Sequence, residues 1–319
     1  MEPQRNGHPL LVDLRQALAS VIEGQQTAID DLFVALAAGG HVLIEGVPGV
    51  AKTLLARSLA AALNATFSRI QFTPDLMPAD ITGVNVFEPK AGEFRFRRGP
   101  LFADVVLADE INRAPAKTQA ALLEAMQENQ VTIDGVTHPL SQTLMVLATQ
   151  NPIEYEGTYP LPEAQLDRFM MKILIGYPEA EAERLMIGRM HRLGANILHP
   201  EKVVTPVLDT GQLVQVRGAA HSVEADESIL NYIVEIVRNS RSLPSLSLGA
   251  SPRAGVMLLR ASKASALIHG KTYVTPDDVR DVALSVLRHR VRLTPEAEIE
   301  GLTADACLDS LLKRASVPR

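Results

Sequence analysis

Residues 46–53 read Gly-Val-Pro-Gly-Val-Ala-Lys-Thr, and they join an apolar stretch, Val42–Glu45, to a helical stretch, Thr53–Leu63. A glycine-containing turn between a buried strand and a helix presents main-chain N–H groups and the positive end of the helix to an anion. A lysine followed by a hydroxyl residue fits the phosphates and the magnesium ion of a nucleoside triphosphate. The sequence therefore predicts a phosphate-binding loop on an α/β fold.

This loop assigns roles to single residues. Lys52 is expected to bridge the β and γ phosphates, and the Thr53 hydroxyl to ligate Mg²⁺. Ala51 departs from the general pattern, which has glycine before the lysine. Alanine costs little there if its φ is negative, whereas a positive φ means a strained loop. The predicted nucleotide-binding residues of the loop are Gly46, Val47, Pro48, Gly49, Val50, Ala51, Lys52, Thr53 and Leu54.

A second apolar stretch, Val105–Ala108, ends in two adjacent carboxylates, Asp109 and Glu110. Alone, such a pair could be no more than a solvated strand end. Together with a phosphate-binding loop it indicates Mg-dependent hydrolysis. Asp109 is predicted to hold the magnesium shell through Thr53 or water, and Glu110 to polarise the attacking water as a general base.

A third apolar stretch, Leu147–Gln150, ends in Asn151-Pro152. The Asn151 amide could orient a water molecule or sense the γ-phosphate. Asn-Pro is also a common turn, so this prediction depends on the order and spacing of the three stretches.

Short apolar runs that alternate with helical patterns predict a parallel sheet covered by helices. Lys117–Glu128 is one such helix, with Ala121, Leu122, Ala125 and Met126 on one face. The predicted strands are Val42–Glu45, Phe67–Gln71, Asp104–Ala108, Leu144–Thr149 and Met170–Ile175.

Two hairpins are predicted within this half of the chain. Residues 93–98 alternate Phe with Glu and Arg, which suggests a strand of a hairpin or a small insertion. Phe94 and Phe96 could face a pore or a partner, but inward packing of both rings is slightly favoured. The second hairpin spans Val131–Thr137, with Asp134-Gly135 as its turn.

Beyond Pro178 the pattern is helical, and no strand is predicted. Ser251-Pro252 and Thr275-Pro276 mark two helix starts, because each pairs an N-cap hydroxyl with proline in the first turn. We place a domain boundary near residues 178–200, dividing a nucleotide-binding domain (1–190) from a helical domain (191–319).

Composition argues against several classes of protein. The net charge of −6, with 4% aromatic residues and no Trp, disfavours a protein that grips nucleic acid. Cys307 is the single cysteine, so no internal disulfide can form. The N-terminus lacks a signal-peptide pattern, and no stretch approaches the roughly 18 apolar residues of a membrane span. We therefore expect a cytoplasmic protein.

The chain resembles the AAA+ superfamily and, within it, the MoxR family. The resemblance implies a P-loop AAA+ core, a five-stranded parallel αβα sandwich, with a C-terminal all-helical lid. It also implies an insertion in the second helix at about 86–98, a hairpin at about 131–142, and Ala51 as an ordinary variant. The segments that carry it are GVPGVAKT (46–53), LADEINRAPAKTQAALLEAMQE (107–128), ATQNP (148–152), LPEAQLDRF (161–169) and SPRA (251–254).

By the same resemblance Asn151 is sensor 1, Arg168 the arginine finger that reaches a neighbour's γ-phosphate, and Arg253 sensor 2. An arginine finger accelerates hydrolysis by about 10³–10⁵, so an isolated subunit would be nearly inactive. Other roles remain open at this stage. Arg168 could pair with Asp167 or Glu163 on the surface, and Arg253 could be solvated near its helix start.

The resemblance implies an ATPase that uses ATP and Mg²⁺ and remodels or matures other proteins. It further implies a homo-oligomeric ring, expected to be hexameric, and a separate von Willebrand factor A-domain partner. Arg113 could contact a neighbouring subunit, or it could have a structural or solvent-exposed role. From its position before the P-loop strand, Val21–Gly24 is predicted to contact adenine. The alternatives are a nucleic-acid-linked motor or transcriptional regulator, and a slow nucleotide-gated scaffold.

Overall fold

The computed structural model describes residues 8–151, 158–194 and 199–318. Up to residue 193 the elements are α1 (Pro9–Ala19), α2 (Gln26–Ala37), β1 (Val42–Gly46), α3 (Lys52–Ala62), β2 (Phe67–Gln71), α4 (Pro78–Thr82), β3 (Gly83–Glu88), β4 (Glu93–Arg98), β5 (Val105–Asp109), α5 (Ala116–Glu128), β6 (Gln130–Ile133), β7 (Val136–Pro139), β8 (Met145–Gln150), α6 (Glu163–Leu166), β9 (Met171–Ile175) and α7 (Ala180–Leu193). Those that follow are α8 (Thr210–Ser222), α9 (Glu227–Ser240), β10 (Leu246–Leu248), α10 (Pro252–Ile268), α11 (Pro276–Leu287), β11 (Arg292–Leu293), α12 (Pro295–Ile299) and α13 (Ala304–Arg314).

The central sheet is parallel, with strand order β2-β5-β8-β1-β9. Its three middle strands are almost fully buried, which explains why they appear in the sequence as continuous apolar runs. All five predicted strands are confirmed to within one residue at each end. Helix α5 is confirmed as well, although Ala121 on its predicted face is only partly buried.

Strand order determines which loops meet. Strand β8 pairs with β1 on one side and with β5 on the other, all in the same direction. The segments that follow these three strands therefore leave the same edge of the sheet side by side. Those segments carry the predicted phosphate loop, the acidic pair and Asn151.

Alternate residues of the strands enter two separate cores. Val42 and Ile44 belong to the core packed by α1, α2, α3 and the C-terminal helices, whereas Leu43 belongs to the core under α5. Successive side chains of a strand point to opposite faces, so a strand buried on both faces supplies both cores. The sheet is thus the middle layer of an α/β/α sandwich.

Both predicted hairpins are present. Strand β3 pairs with β4, and β6 pairs with β7. Asp134 and Gly135 link the second pair with φ of 49° and 80°, as a tight hairpin turn requires. The prediction of inward packing is right for Phe96, which stacks on His138 at 4.0 Å, and wrong for Phe94, which is 70% exposed. Phe94 lies near the hairpin turn, where its ring neighbour is Phe87 at 5.3 Å.

The C-terminal part is mainly helical, but the prediction that it contains no strand is wrong. Strands β10 and β11 form a small antiparallel pair. They have three and two residues, too few to show the period of a strand in the sequence. Both predicted helix starts are confirmed: Ser251 Oγ accepts from Ala254 N, and Thr275 forms a capping box with Asp278. The boundary near 178–200 stays a prediction.

No helix among the described residues combines the length and apolar character needed to cross a bilayer.

One carboxylate in the helical layers is unusual. Asp31 on α2 accepts a hydrogen bond from Ser285 Oγ on α11 at 2.5 Å. Burial raises the pKa of Asp31 from 3.8 to about 6, against the opposing effects of this hydrogen bond and of Arg288. A raised pKa in the folded chain means that folding favours the protonated acid.

Asp31 should therefore make stability depend on pH. Its contribution is complete below about pH 4 and is lost as pH rises through about 6, and this pKa change is worth roughly 3 kcal/mol at most. The free energy of unfolding of Asp31→Asn minus that of the wild type should rise over this range, because only the wild type loses stability from Asp31. Urea denaturation measures both values. Asp13→Asn, a change at an exposed carboxylate on α1, is the control. A difference that stays constant with pH would contradict the assignment.

Candidate functional site

The loop between β1 and α3 is tightly shaped. A Cβ on Gly46 would lie 2.4 Å from Ile175 O of the adjacent strand, so only glycine fits there. Gly49 has a φ of 86°. Ala51, the N-cap of α3, has φ 61° and ψ 25°, the left-handed conformation that costs an alanine about 1–2 kcal/mol. The loop is therefore strained at Ala51, the second of the two possibilities that the sequence left open.

The residues predicted to bind phosphate and magnesium and to activate water line one cavity of about 460 Å³ beside this loop, here called the phosphate cavity. Three of the predicted loop residues, Gly46, Val47 and Val50, do not line it, and neither does Val21–Gly24, whose adenine role stays a prediction. The lining residues are Pro48, Gly49, Ala51, Lys52, Thr53, Leu54, Arg57, Asp109, Glu110 and Asn151.

Lys52 lies at the entrance to α3, and its Nζ donates to Gly46 O at 2.7 Å. Lys52 and Thr53 occupy the first turn of the helix, where main-chain N–H groups have no acceptor within the helix. An anion at this position would meet the lysine, the main-chain N–H groups of the first turn and the positive end of the helix together.

The two acids are held by a network of neighbours. Asp109 Oδ1 accepts from Thr149 Oγ1 at 2.6 Å, and Asp109 Oδ2 accepts from Arg69 at 2.6 and 3.1 Å. Glu110 has a left-handed φ of 56°, and its N–H donates to Thr149 Oγ1 at 2.8 Å. Its carboxylate accepts from Gln71 Nε2 at 2.8 Å and from Arg113 at 3.1 Å.

Sequence reasoning missed Arg69, Gln71 and Thr149, and it left the role of Arg113 open. Gln71 pairs in register with Asp109 on the adjacent strand. The polar residue at the end of β2 could have indicated a contact with the acids at the end of β5. Recognising this requires knowing that β2 and β5 are neighbours in the sheet. Arg113 contacts Glu110 of its own chain, which gives it a role within the subunit.

Hard oxygen donors are what Mg²⁺ prefers, and the Thr53 hydroxyl and Asp109 carboxylate both line the phosphate cavity. These residues fit a magnesium nucleotide. Arg69 would compete with Mg²⁺ for Asp109 Oδ2. Because 48% of its side chain is exposed, Arg69 can move into solvent when the ion binds. Asn151 is only 8% exposed at the end of β8 and lines the same cavity. Pro152 lies outside the described residues.

Arg168 and Arg253 line a different cavity of about 360 Å³, here called the arginine cavity. It shares no lining residue with the phosphate cavity. The residues around it are Gly39, Gly40, His41, Met126, Gln127, Asn129, Gln142, Leu144, Arg168, Met170, Arg217, Arg253, Met257 and Arg260.

The surface ion pairs considered for Arg168 are wrong. Asp167 pairs with the buried Arg290 at 2.7 Å, and Glu163 pairs with Arg292 at 3.2 Å. The side chain of Arg168 has no hydrogen bond or ion pair to any described residue, and the same holds for the side chain of Arg253. Both guanidinium groups are therefore available to an external anion.

Asp167 links the two segments of the chain that carry Arg168 and Arg253. Its Oδ1 accepts from Arg290 Nε, and its Oδ2 accepts from Ser251 Oγ at 2.9 Å. Arg290 also donates to Phe169 O at 2.5 Å and to Met170 O at 3.0 Å. The loop that carries Arg168 is thus bound to the first turn of α10, which carries Arg253.

Comparison with known proteins agrees with this geometry. Residues 41–171 match the ATPase family associated with various cellular activities (AAA), and residues 238–311 match an AAA lid domain. The protein YeaC of Bacillus subtilis is 46% identical over 318 residues, covering 100% of this chain and 98% of YeaC. Chaperone MoxR1 of Mycobacterium tuberculosis is 43% identical over 308 residues, covering 94% and 80%.

A solved structure is similar as well. The crystal structure of a proposed ATPase from Cytophaga hutchinsonii has a TM-score of 0.89 and 40% identity, covering 98% of this chain and 96% of that one. The predicted AAA+ core with its parallel five-stranded sheet and C-terminal lid is confirmed.

Loss of the Asp167 carboxylate should destabilise the fold. Asp167→Asn leaves the charge of Arg290 buried without a counter-charge, which costs about 3–5 kcal/mol in the free energy of unfolding. Glu163→Gln removes the exposed Arg292 pair and should cost less than about 1 kcal/mol. Urea denaturation of both variants checks this, and equal losses would show that Asp167 has no special role.

Removal of Arg69 should make magnesium bind more readily. Arg69→Met frees Asp109 Oδ2 from a competing cation. The Mg²⁺ concentration that gives half-maximal ATP binding should fall by up to about 5-fold, the range of an exposed ion pair. Calorimetric titration measures it, with Arg95→Met on the β3–β4 hairpin as the control. A higher Mg²⁺ requirement would contradict competition.

Proposed function

This chain belongs to the MoxR family of AAA+ ATPases, and we propose that it hydrolyses Mg-ATP in a ring of identical subunits whose sites are completed by the neighbour's arginines. The work done is the remodelling or maturation of other proteins. This proposal rests chiefly on the placement of the phosphate cavity and the arginine cavity.

The two cavities lie at opposite edges of the central sheet. The phosphate cavity is lined by residues that follow β1, β5 and β8. The arginine cavity is lined by His41, Leu144 and Met170, which precede β1, β8 and β9. Because the strands are parallel and β1 has five residues, the edges are roughly 16 Å apart. Arg168 and Arg253 thus lie about one strand length from the phosphate cavity of their own subunit, which supports a role at a neighbour's site.

Each residue of the completed site has a distinct task. The loop N–H groups and Lys52 bind the β and γ phosphates, and Thr53 and Asp109 hold Mg²⁺, which neutralises phosphate charge. Glu110 takes a proton from the attacking water, and Asn151 orients that water. Water oxygen bonds to the γ-phosphorus while the bond to the β-phosphate oxygen breaks. Arg168 and Arg253 of the next subunit stabilise the charge on the transferring group.

Gln71 and Arg113 both donate to Oε2 of Glu110, so only Oε1 is left to accept a proton from water while these contacts hold. This observation favours slow turnover and keeps a nucleotide-gated scaffold as the second candidate. A nucleic-acid-linked motor stays an alternative, which stimulation of hydrolysis by DNA would support.

The remaining features of the proposal come from family membership. A relative at 43% identity is named a chaperone, in keeping with client proteins as the target. A hexameric ring, a separate von Willebrand factor A-domain partner and a cytoplasmic location complete the proposal.

Arg168→Ala should lower kcat by about 10³-fold or more, the effect of an arginine finger. Glu110→Gln should be similarly inactive, because it lacks the base. When the two variants are mixed, Arg168 of one should serve the intact Glu110 site of the other and restore part of the activity. The rate of phosphate release is measured for each variant and for the mixture. Arg184→Ala, an exposed arginine on α7, is the control and should keep full activity.

The opposite pattern would contradict the ring. It consists of an Arg168→Ala protein with wild-type activity, or of two inactive variants that do not complement each other. Binding of ATP with no turnover at any protein concentration would instead support the scaffold.

A further inference from the structure

The arginine cavity contains more positive charge than two arginines supply. Arg217 and Arg260 line it beside Arg168 and Arg253, and no Asp or Glu is among the lining residues. None of the four forms an ion pair within the described residues. Like charges repel strongly where water is partly excluded. A set of four guanidinium groups in one hollow therefore favours a ligand with several negative charges.

The histidine of this cavity adds no charge at neutral pH. Burial lowers the pKa of His41 to about 4. Its Nδ1 accepts from Val146 N at 3.1 Å, so its Nε2 carries the proton and donates to Met126 O at 3.2 Å. His41 is thus a structural link between β1, β8 and α5, and the arginines are the charged groups of this cavity that attract an anion.

Arg217 is already committed to the fold. Its Nε donates to Leu36 O at 3.2 Å, one terminal nitrogen donates to Gln142 O at 2.8 Å, and the other donates to Thr143 O at 3.2 Å. Burial lowers the pKa of Arg217 to about 10, with a smaller effect of Arg260 in the same direction. Arg217 therefore holds α8 against α2. Each of its three nitrogens already has a main-chain acceptor, although each terminal nitrogen keeps a second N–H.

Arg260 is different. One of its terminal nitrogens donates to Ala38 O at 2.7 Å and lies 3.5 Å from Gly39 O. The other terminal nitrogen is 4.0 Å from Met257 Sδ, and its Nε has no partner among the described residues. Arg253, Met257 and Arg260 follow one another at helical spacing on α10, so both guanidinium groups share one face of the helix.

We infer that Arg260 is a third arginine that binds the triphosphate of the neighbouring subunit, beside Arg168 and Arg253. This inference rests on the proposed ring. Arg260 supplies charge-assisted hydrogen bonds to phosphate oxygens from the nitrogens that the fold leaves free. The contact with Ala38 O orients the side chain towards the cavity.

A simpler role must be separated from this one. Ala38 and Gly39 follow the C-terminus of α2, where cations stabilise the helix dipole and free carbonyls. If capping were the whole role of Arg260, its loss would lower stability and leave the turnover of the folded ring unchanged. Turnover and stability must therefore be measured on the same variants.

The test uses Arg260→Ala and Arg260→Gln in the full chain. Gln removes the charge but keeps a polar side chain, whose amide ends two bonds short of the arginine nitrogen that contacts Ala38 O. Both variants should lower kcat by about 10-fold or more, the effect of one lost hydrogen bond to a charged group. Lys263→Ala is the matched control, because Lys263 on the same helix also donates to a carbonyl, His221 O, but does not line the cavity. It should change kcat less than 2-fold.

Mixing decides whether Arg260 acts on the neighbour. Glu110→Gln subunits carry an intact Arg260 and should restore activity to Arg260→Gln subunits. Wild-type kcat in Arg260→Gln, or no restoration on mixing, overturns the inference. If Arg168→Ala is still complemented in that case, the ring stands and only the role of Arg260 falls. If Arg168→Ala fails as well, the proposed function fails with it.

Discussion

The buried ion pair between Arg290 and Asp167 is the interaction on which the arrangement of the arginine cavity depends. Arg290 is 1% exposed in its side chain and follows the end of α11, whereas Asp167 lies in the loop before β9. A buried charge of this kind is tolerable only with its partner in place. Since Asp167 also accepts from Ser251, one carboxylate sets the positions of Arg168 and Arg253 relative to the sheet.

Much of the fold and half of the site could be predicted because buried parallel strands leave a strong signal. The strands before Gly46, Asp109 and Asn151 are apolar runs that end in polar residues. Family resemblance then supplied the significance of Arg168 and Arg253. Contacts that depend on strand order, such as those of Arg69 and Gln71 with the acids, could not be predicted, because their partners are about 40 residues away in the chain.

The other wrong predictions concern short strands and a residue that faces solvent. Strands β10 and β11 have too few residues to show alternation, and Phe94 shares a strand face with Phe96 but has no core beneath it. The ion pairs suggested for Arg168 followed from nearness in sequence. Asp167 instead pairs with a residue 123 positions away. Sequence proximity is a poor guide to the partner of a charge when a more distant cation is fully buried.

The separation of the two cavities by one strand length has a consequence for any assembly of this chain. In the proposed ring, the sheet would be the spacer that separates the nucleotide of one subunit from the arginines that the same subunit presents to the next. The length of the five-residue strands would then contribute to the repeat distance between subunits of that ring. A displacement at one phosphate loop would be carried across rigid, doubly buried strands rather than absorbed by flexible loops.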